Sequence, residues 1–363
     1  MSIRRRFAVV AALGAAAIAL AGCSSSGGSS GGTTSGSSAS SGSSASSGSY
    51  TFYLSNNFIG NDWRQQMAKT AQLATQQAPF AGHVNLTVVN DSDPGVPAQL
   101  SNLNNIVPRK PSAILIDAAS PDALNPTVNR ACAAHIVVVS FDQNVSAPCA
   151  YNITPTYEDT AYNGATWLFN HIGGTGTVLI DQGTPGDPNS VTLTSGIDKA
   201  LAKAPGIKVG GKYVSDYGIG QTEQGIASLL ASNPDVKGVL ALGPNCGAVL
   251  TAFATAGRPA PAVFCTGAGN GALVQCAQTK GAACYDGAFP PYVVALAMRI
   301  AYNVLQGQTE PKVTPFAPPC IVTGGASGCS AIQIGVNAYP DKPAGLTFPI
   351  APDWLHITVS QLG

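Results

Sequence analysis

The sequence predicts an α/β fold built on doubly wound parallel sheet. Three observations predict it. The strand-like segments are unbroken apolar runs, helix-length stretches separate them, and the alternation recurs along nearly the whole chain after residue 50. Strands covered by helices on both faces read as continuous apolar runs rather than as in/out alternations. Strand and helix in regular succession mark that kind of sheet.

In chain order, the strand-like runs of the first half are residues 51–54, 85–89, 113–116 and 136–141. Those of the second half are 176–180, 208–213, 238–242 and 262–264. Helices are expected at 63–76, 96–107, 121–134, 160–170, 191–204, 221–231, 248–256 and 291–305. Eight such units close a barrel or divide into two smaller sheets, and periodicity does not choose between them.

The N-terminus stands apart. Arg4, Arg5 and Arg6 precede an Ala/Leu-rich run over residues 7–20, which ends in Leu20-Ala21-Gly22-Cys23. A basic start, an apolar stretch and small residues at its end make a signal peptide over 1–22. The run is shorter than the roughly 20 residues a membrane-spanning helix needs. Leu-Ala-Gly-Cys resembles a bacterial lipobox, which implies lipidation of Cys23. The plainer alternative is an ordinary secretory signal with an incidental cysteine. The arginines also fit, loosely, a twin-arginine export signal. Residues 24–49 are almost wholly Ser, Gly, Thr and Ala, so 23–49 is expected to be a flexible tether from the membrane.

Eighteen basic residues balance eighteen acidic ones, and only 10% of the chain is charged. No basic patch is there to follow a phosphate backbone, which disfavours nucleic acid as a partner. Beside Cys23 there are eight cysteines: Cys132, Cys149, Cys246, Cys265, Cys276, Cys284, Cys320 and Cys329. None forms Cys-x-x-Cys, and His83, His135, His171 and His356 are scattered, so no metal and no cofactor are expected. In an exported chain disulfides are the better reading, and pairing of sequence neighbours (132–149, 246–265, 276–284, 320–329) is the simplest of 105 connectivities. Buried free thiols are the alternative.

Polar residues gather just beyond the strand-like runs. The first half places Asn57, Asn61, Trp63, Arg64, Asp117, Asp142 and Gln143 there; the second places Asp181, Tyr217 and Asn245. Open α/β sheets bind ligands at the carboxyl ends of their strands. Amides and carboxylates hydrogen-bond vicinal hydroxyls, and aromatic rings stack on a sugar face. Taken singly, each Asx residue is as well explained as a helix cap or turn.

Over residues 50–322 this layout resembles the type I periplasmic binding proteins, the ribose/galactose-binding group that feeds ABC sugar importers. The residues that carry it are Ser55 to Arg64 as a polar first loop and Ala113 to Leu124 against "DAIIISPxDxxAL". Ile136 to Gln143 is similar to "IPVVxxDx", and Asn233 to Val239 to "xPDIxxV". The resemblance implies two Rossmann-like doubly wound lobes joined by a three-segment hinge, with crossings near Asn152, Ala288 and Cys320. Lobe 1 is then expected at 50–152 and lobe 2 at 153–287, with a return to lobe 1, a last crossover and a C-terminal extension over 288–363.

It further implies a ligand set of Asn57, Asn61, Trp63, Arg64, Asp117, Asp142 and Gln143 in lobe 1, with Tyr217 and Asn245 in lobe 2. Two features depart from the pattern. The second-lobe Arg of the family would fall near Leu193, where there is none. The Gly-Phe-Asp-Gly carboxylate would fall on Thr266-Gly267-Ala268, with Asp187, Asn189 or Asp286 as substitutes.

The expected protein is therefore an extracytoplasmic, lipid-anchored, monomeric solute-binding protein. It would capture a sugar-like ligand and pass it to an ABC permease. A ligand-sensing receptor subunit for a polyol, small acid or signal molecule is the alternative. Catalysis is disfavoured, because the chain has no His-Glu-x-x-His, P-loop or Gly-x-Ser-x-Gly, although Gly267 to Ala272 follows a strand in the order an anion site needs. A repressor of the same fold would need an N-terminal helix-turn-helix in place of a signal segment.

Overall fold

The computed structural model describes residues 49–91, 95–323, 331–333 and 340–362, all within one compact unit, Ala45–Gly363. The signal segment, Cys23, nearly all of the expected tether and Cys329 lie outside the described residues.

The chain opens with β1 (Tyr50–Asn56), α1 (Asp62–Ala74), β2 (Val84–Asn90), α2 (Val96–Ile106), β3 (Ala113–Asp117), α3 (Asn125–Ala133), β4 (Val137–Phe141) and β5 (Tyr151–Pro155). It then crosses into α4 (Tyr157–His171), β6 (Gly176–Asp181), α5 (Pro188–Leu201), β7 (Ile207–Tyr213), α6 (Ile219–Leu230) and β8 (Val236–Leu240). There follow α7 (Cys246–Thr255), β9 (Ala262–Cys265), α8 (Asn270–Gln278) and β10 (Ala283–Gly287). A return through α9 (Val293–Leu305) and β11 (Val313–Phe316) precedes β12 (Cys320–Val322), β13 (Ala331–Gln333) and the terminal α10 (Val359–Leu362).

Two sheets result, not a barrel. The first has order β11-β5-β4-β3-β1-β2 and is parallel throughout. The second has order β13-β12-β10-β9-β8-β6-β7, with β12 antiparallel to β10. Along β3, Leu115 packs with Met67, Phe141 and Met298 on one face, while Ile114 and Ile116 pack with Leu103, Ile106 and Val128 on the other. In the second sheet Val178 and Ile180 face α4 and α5, and Leu179 and Val239 face α6 to α8. Both faces being covered is why these strands read as unbroken apolar runs.

Several boundaries differ from the sequence expectation. The first crossing comes after Pro155 rather than near Asn152, because Asn152 still pairs with Ser140 and Val313 inside the first sheet. Helix α3 starts at Asn125, not at residue 121, because residues 121–124 form a turn and Pro126 occupies the first helical turn, where its missing N–H costs nothing. β5, β10, β11 and β13 carry polar residues, Gly or Pro, and β12 is only three residues long, so none of them reads as a strand in the sequence.

Cys132–Cys149, Cys246–Cys265 and Cys276–Cys284 are disulfides, with Cα separations of 6.3, 5.5 and 6.5 Å. These fall in the range a disulfide spans without backbone movement. Cys320 is also disulfide-bonded. Among the described residues no helix is long and apolar enough to cross a membrane.

The segment 340–362 touches both lobes. Leu346 and Phe348 sink into the second-lobe core; Leu355 and Ile357 sink into the first-lobe core beside Phe80.

Candidate functional site

The strand ends of the first lobe converge on one buried guanidinium. Asn61 caps α1, its Oδ1 accepting from the Arg64 N–H at 2.8 Å. That cap starts the helix so that Arg64, one turn in, points inward and is buried. Arg64 forms an ion pair with Asp117, the last residue of β3, and its Nη1 donates to Asn56 Oδ1 at 2.9 Å, the last residue of β1. Its Nη2 lies 3.6 Å from Asp142 Oδ2, just past β4. Asp142 takes a φ of +59°, a left-handed conformation that Asp tolerates better than most residues.

Asp142 also reaches beyond its own lobe. Its Oδ1 accepts from the Tyr157 hydroxyl at 2.6 Å and from Asn189 Nδ2 at 3.5 Å. Beside it Asn57 Nδ2 donates to Gln143 Oε1 at 3.1 Å, and Gln143 Nε2 donates to Asp187 Oδ1 at 3.3 Å. Asp187 caps α5 through the Ser190 N–H at 2.8 Å, and its Oδ2 accepts from the Tyr217 hydroxyl at 2.9 Å. Asp142–Asn189 and Gln143–Asp187 are thus direct hydrogen bonds between the facing loops of the two lobes.

Burial sets the electrostatics. Loss of solvent pushes the Asp117 carboxyl well above the usual carboxylate range; Arg64 opposes that and Asp142 adds to it. Asp142 is raised for the same reason, against Arg64 and the Tyr157 hydrogen bond. Tyr157 and Tyr217 are pushed up by burial and by their carboxylate partners. Asp286, at the end of β10, is fully buried and pushed up to about 7, although the Ala268 and Gly267 N–H groups hold its carboxylate form.

Of the residues singled out in the sequence, Arg64, Asp117 and Asp142 form one side-chain cluster, and Asn57, Gln143 and Tyr217 form a second one joined through Asp187. Asn61 is exposed and serves as the cap. Trp63 stacks on Phe289 of the second crossing at 5.9 Å, its indole N–H donating to the Phe289 carbonyl at 2.6 Å. Asn245 is buried at the start of α7, with Nδ2 on the Leu242 carbonyl at 2.9 Å and Oδ1 without a hydrogen-bond partner. Near Leu193, a core residue, the guanidinium is indeed missing; the one at this site is Arg64, from the opposite lobe. The loop 266–268 supplies backbone donors to Asp286 in place of a carboxylate of its own.

Sequence reasoning missed Asn56 and Tyr157. Both terminate or begin an element beside a crossing or strand end, a positional signal that needs the sheet order to be visible. Among the described residues no cluster of three or more His, Cys, Asp or Glu could hold a metal ion. What the site offers is a dense, fixed set of acceptors and donors around a single cation.

Residues 52–309 match the family model described as periplasmic binding protein domain. An ABC transporter solute binding protein from Thermobispora bispora is 31% identical, with a TM-score of 0.67, covering 74% of this chain and 83% of that one. A periplasmic solute binding protein from Actinobacillus succinogenes with bound D-allose superposes with a TM-score of 0.68 at 22% identity, over 75% of this chain and 96% of that one. The xylitol-binding protein of Mycolicibacterium smegmatis is 26% identical over 183 residues, 49% of this chain and 52% of that protein. The chain thus spans about half the length of the curated relatives it matches. With most of the chain matched by that model, two crossing lobes and their strand ends facing one another, the protein belongs to the periplasmic binding protein family.

Proposed function

We propose that this protein captures a neutral, hydroxyl-rich solute, a sugar or polyol, between its lobes outside the cytoplasm and delivers it to an ABC permease. The observation that carries this reading is the Arg64–Asp117–Asp142 cluster, reached from the other lobe by Asn189. Carboxylates accept from hydroxyls, and the Asn57, Gln143 and Asn189 amides donate to ring or chain oxygens. Arg64 is already shared by two carboxylates, with Asp187 close by, so a solute bearing its own carboxylate or phosphate meets repulsion. D-allose and xylitol, the solutes named for two similar proteins, fit that chemistry.

The solute would replace the direct contacts between facing loops with hydrogen bonds of its own. Each one to a charged group contributes about 1.5–3 kcal/mol net. The N-terminal sequence supports export and anchoring through Cys23, with the Ser/Gly segment as tether.

A thermal-shift panel of xylitol, D-allose, other pentoses and hexoses, and the matched sugar acids tests the ligand class, since a solute that binds the folded form raises the melting temperature. A neutral member is expected to give the largest shift, and Asp142→Ala to weaken it at least tenfold by calorimetry. A larger shift with the acids would overturn the assignment. Anchoring is tested by Cys23→Ser, which should release the protein from the membrane fraction.

A further inference from the structure

The C-terminal segment forms a link between the lobes that is separate from the three crossings. From Lys342 to Phe348 it is bound to the second lobe. The Asn270 N–H donates to the Leu346 carbonyl at 2.7 Å and the Gly271 N–H to the Ala344 carbonyl at 2.8 Å. Asn270 Nδ2 reaches the Lys342 carbonyl at 3.2 Å, and Leu346 and Phe348 are buried in that lobe's core. From Trp354 to Ile357 it is bound to the first lobe. Leu355 and Ile357 are buried there, and Gln77 holds His356 by two 2.8 Å hydrogen bonds, one in each direction. In its final turn Val359 packs against the second-lobe core and Leu362 against both cores.

Between these anchors one side chain makes a short cut. Gln66, buried in α1 of the first lobe, accepts from the Thr347 N–H at 2.8 Å and donates to the Thr347 carbonyl at 2.8 Å. Thr347 lies inside the stretch anchored to the second lobe, so this pair spans the lobes with no slack. The fit around it is close. A β-carbon at Gly345 would run into the Asp62 carboxylate at the start of α1, and one at Gly269 would lie 2.6 Å from the Ala344 carbonyl.

The two anchors tolerate separation; the Gln66 pair does not. Phe348 and Leu355 are joined by seven residue steps, which reach roughly 23 Å when extended at about 3.3 Å per residue. The lobes can therefore part while both anchors stay seated, provided that Gln66 releases Thr347 and the last turn, Val359 to Leu362, leaves the second-lobe core. Two side-chain hydrogen bonds are also the weaker fastening, against several backbone bonds and two buried apolar residues on the second-lobe side.

We propose that Gln66 is a positioning residue that latches the lobes closed through Thr347, and that the strap moves with the second lobe when the cleft opens. This does not depend on which solute fills the cleft, because it is read on the full-length, ligand-free protein.

Residue-resolved hydrogen exchange compares the two sides of the strap directly. The Thr347 amide is expected to exchange at least tenfold faster than the Asn270 and Gly271 amides. Small-angle scattering of ligand-free Gln66→Ala should show a larger radius of gyration than the wild type, and Gln66→Glu, which keeps the acceptor and loses the donor, an intermediate one. Equal protection at Thr347 and Gly271 overturns the proposal, and so does an unchanged scattering profile from a folded Gln66→Ala. Should that variant not fold, the exchange measurement on the wild type decides alone.

Discussion

The Tyr157 hydroxyl donates a 2.6 Å hydrogen bond to Asp142 Oδ1, tying the first residue of α4 to the loop after β4 where the chain first passes between the lobes. The bond holds the Asp142 carboxylate while Arg64 stands off at 3.6 Å. A hydrogen bond to a charged group contributes about 1.5–3 kcal/mol. Tyr157→Phe is therefore expected to weaken solute binding roughly tenfold or more, as about 1.4 kcal/mol is a factor of ten. Calorimetry with the strongest solute of the panel, alongside an unchanged circular dichroism spectrum, checks it. Wild-type affinity in that variant would remove Asp142 from the binding wall.

Asp286 predicts a pH dependence of stability. Its carboxyl is pushed up to about 7 by burial, against an ordinary value of 3.8. Between those values the folded chain holds a proton that the unfolded chain has released. Stability is thus fullest below about pH 4 and falls as the pH rises toward 7, by on the order of 4 kcal/mol if the whole displacement is expressed. Asp286→Asn stays neutral and should melt higher than wild type at pH 8 but not at pH 4. Asp117, Asp142 and Asp181 are raised as well, so the slope should lessen rather than vanish. Parallel melting curves of the two proteins from pH 4 to 8 would contradict this.

Gly196 sets how closely α4 and α5 approach. A β-carbon there would press on the Glu158 backbone carbonyl and lie 2.9 Å from Ala161 Cβ. Alanine gains about 1 kcal/mol in helix propensity over glycine. Overpacking against a backbone carbonyl, which cannot turn aside, costs about 1–3 kcal/mol and should win. Gly196→Ala is expected to melt a few degrees lower, at about 2–4 °C per kcal/mol for a domain of this scale. A higher melting temperature would show that the helices have room to part.

Cys246–Cys265 fastens the start of α7, next to Asn245, to the end of β9. Its partners are 19 residues apart in sequence, and closing a loop of that length stabilises by about 3 kcal/mol. The double substitution Cys246→Ala/Cys265→Ala should lower the denaturant midpoint accordingly. Because the bond adjoins Asn245, solute binding should weaken too. Retention of both midpoint and affinity would reduce the bond to an ornament of the oxidised state.

How much of this was legible follows from how each residue is used. Ile114 and Leu115 face opposite sides of one sheet and are both buried, so β3 announced itself as an apolar run. β10 is equally buried but ends in Asp286 and Gly287, and that polarity hid it. Asp117 and Asp142 stood out because they directly follow apolar runs. Tyr157 did not, since its partner lies 15 positions away and only the fold brings them together. Trp63 looked like a stacking platform, and its ring is stacked, on Phe289. The strap was invisible as structure because its hydrogen bonds run through its backbone, whose carbonyls accept from Asn270, Gly271 and Gln66 and whose Thr347 N–H donates to Gln66, and these leave no periodic signature.

The three disulfides described above share a feature with a consequence for maturation. Each closes within a single lobe, across 17, 19 or 8 positions, and none ties one lobe to the other. Each of these three bonds can form once its own short stretch of chain is in place, without waiting for the remainder. Reduction of any one of the three would then loosen only the lobe that holds it.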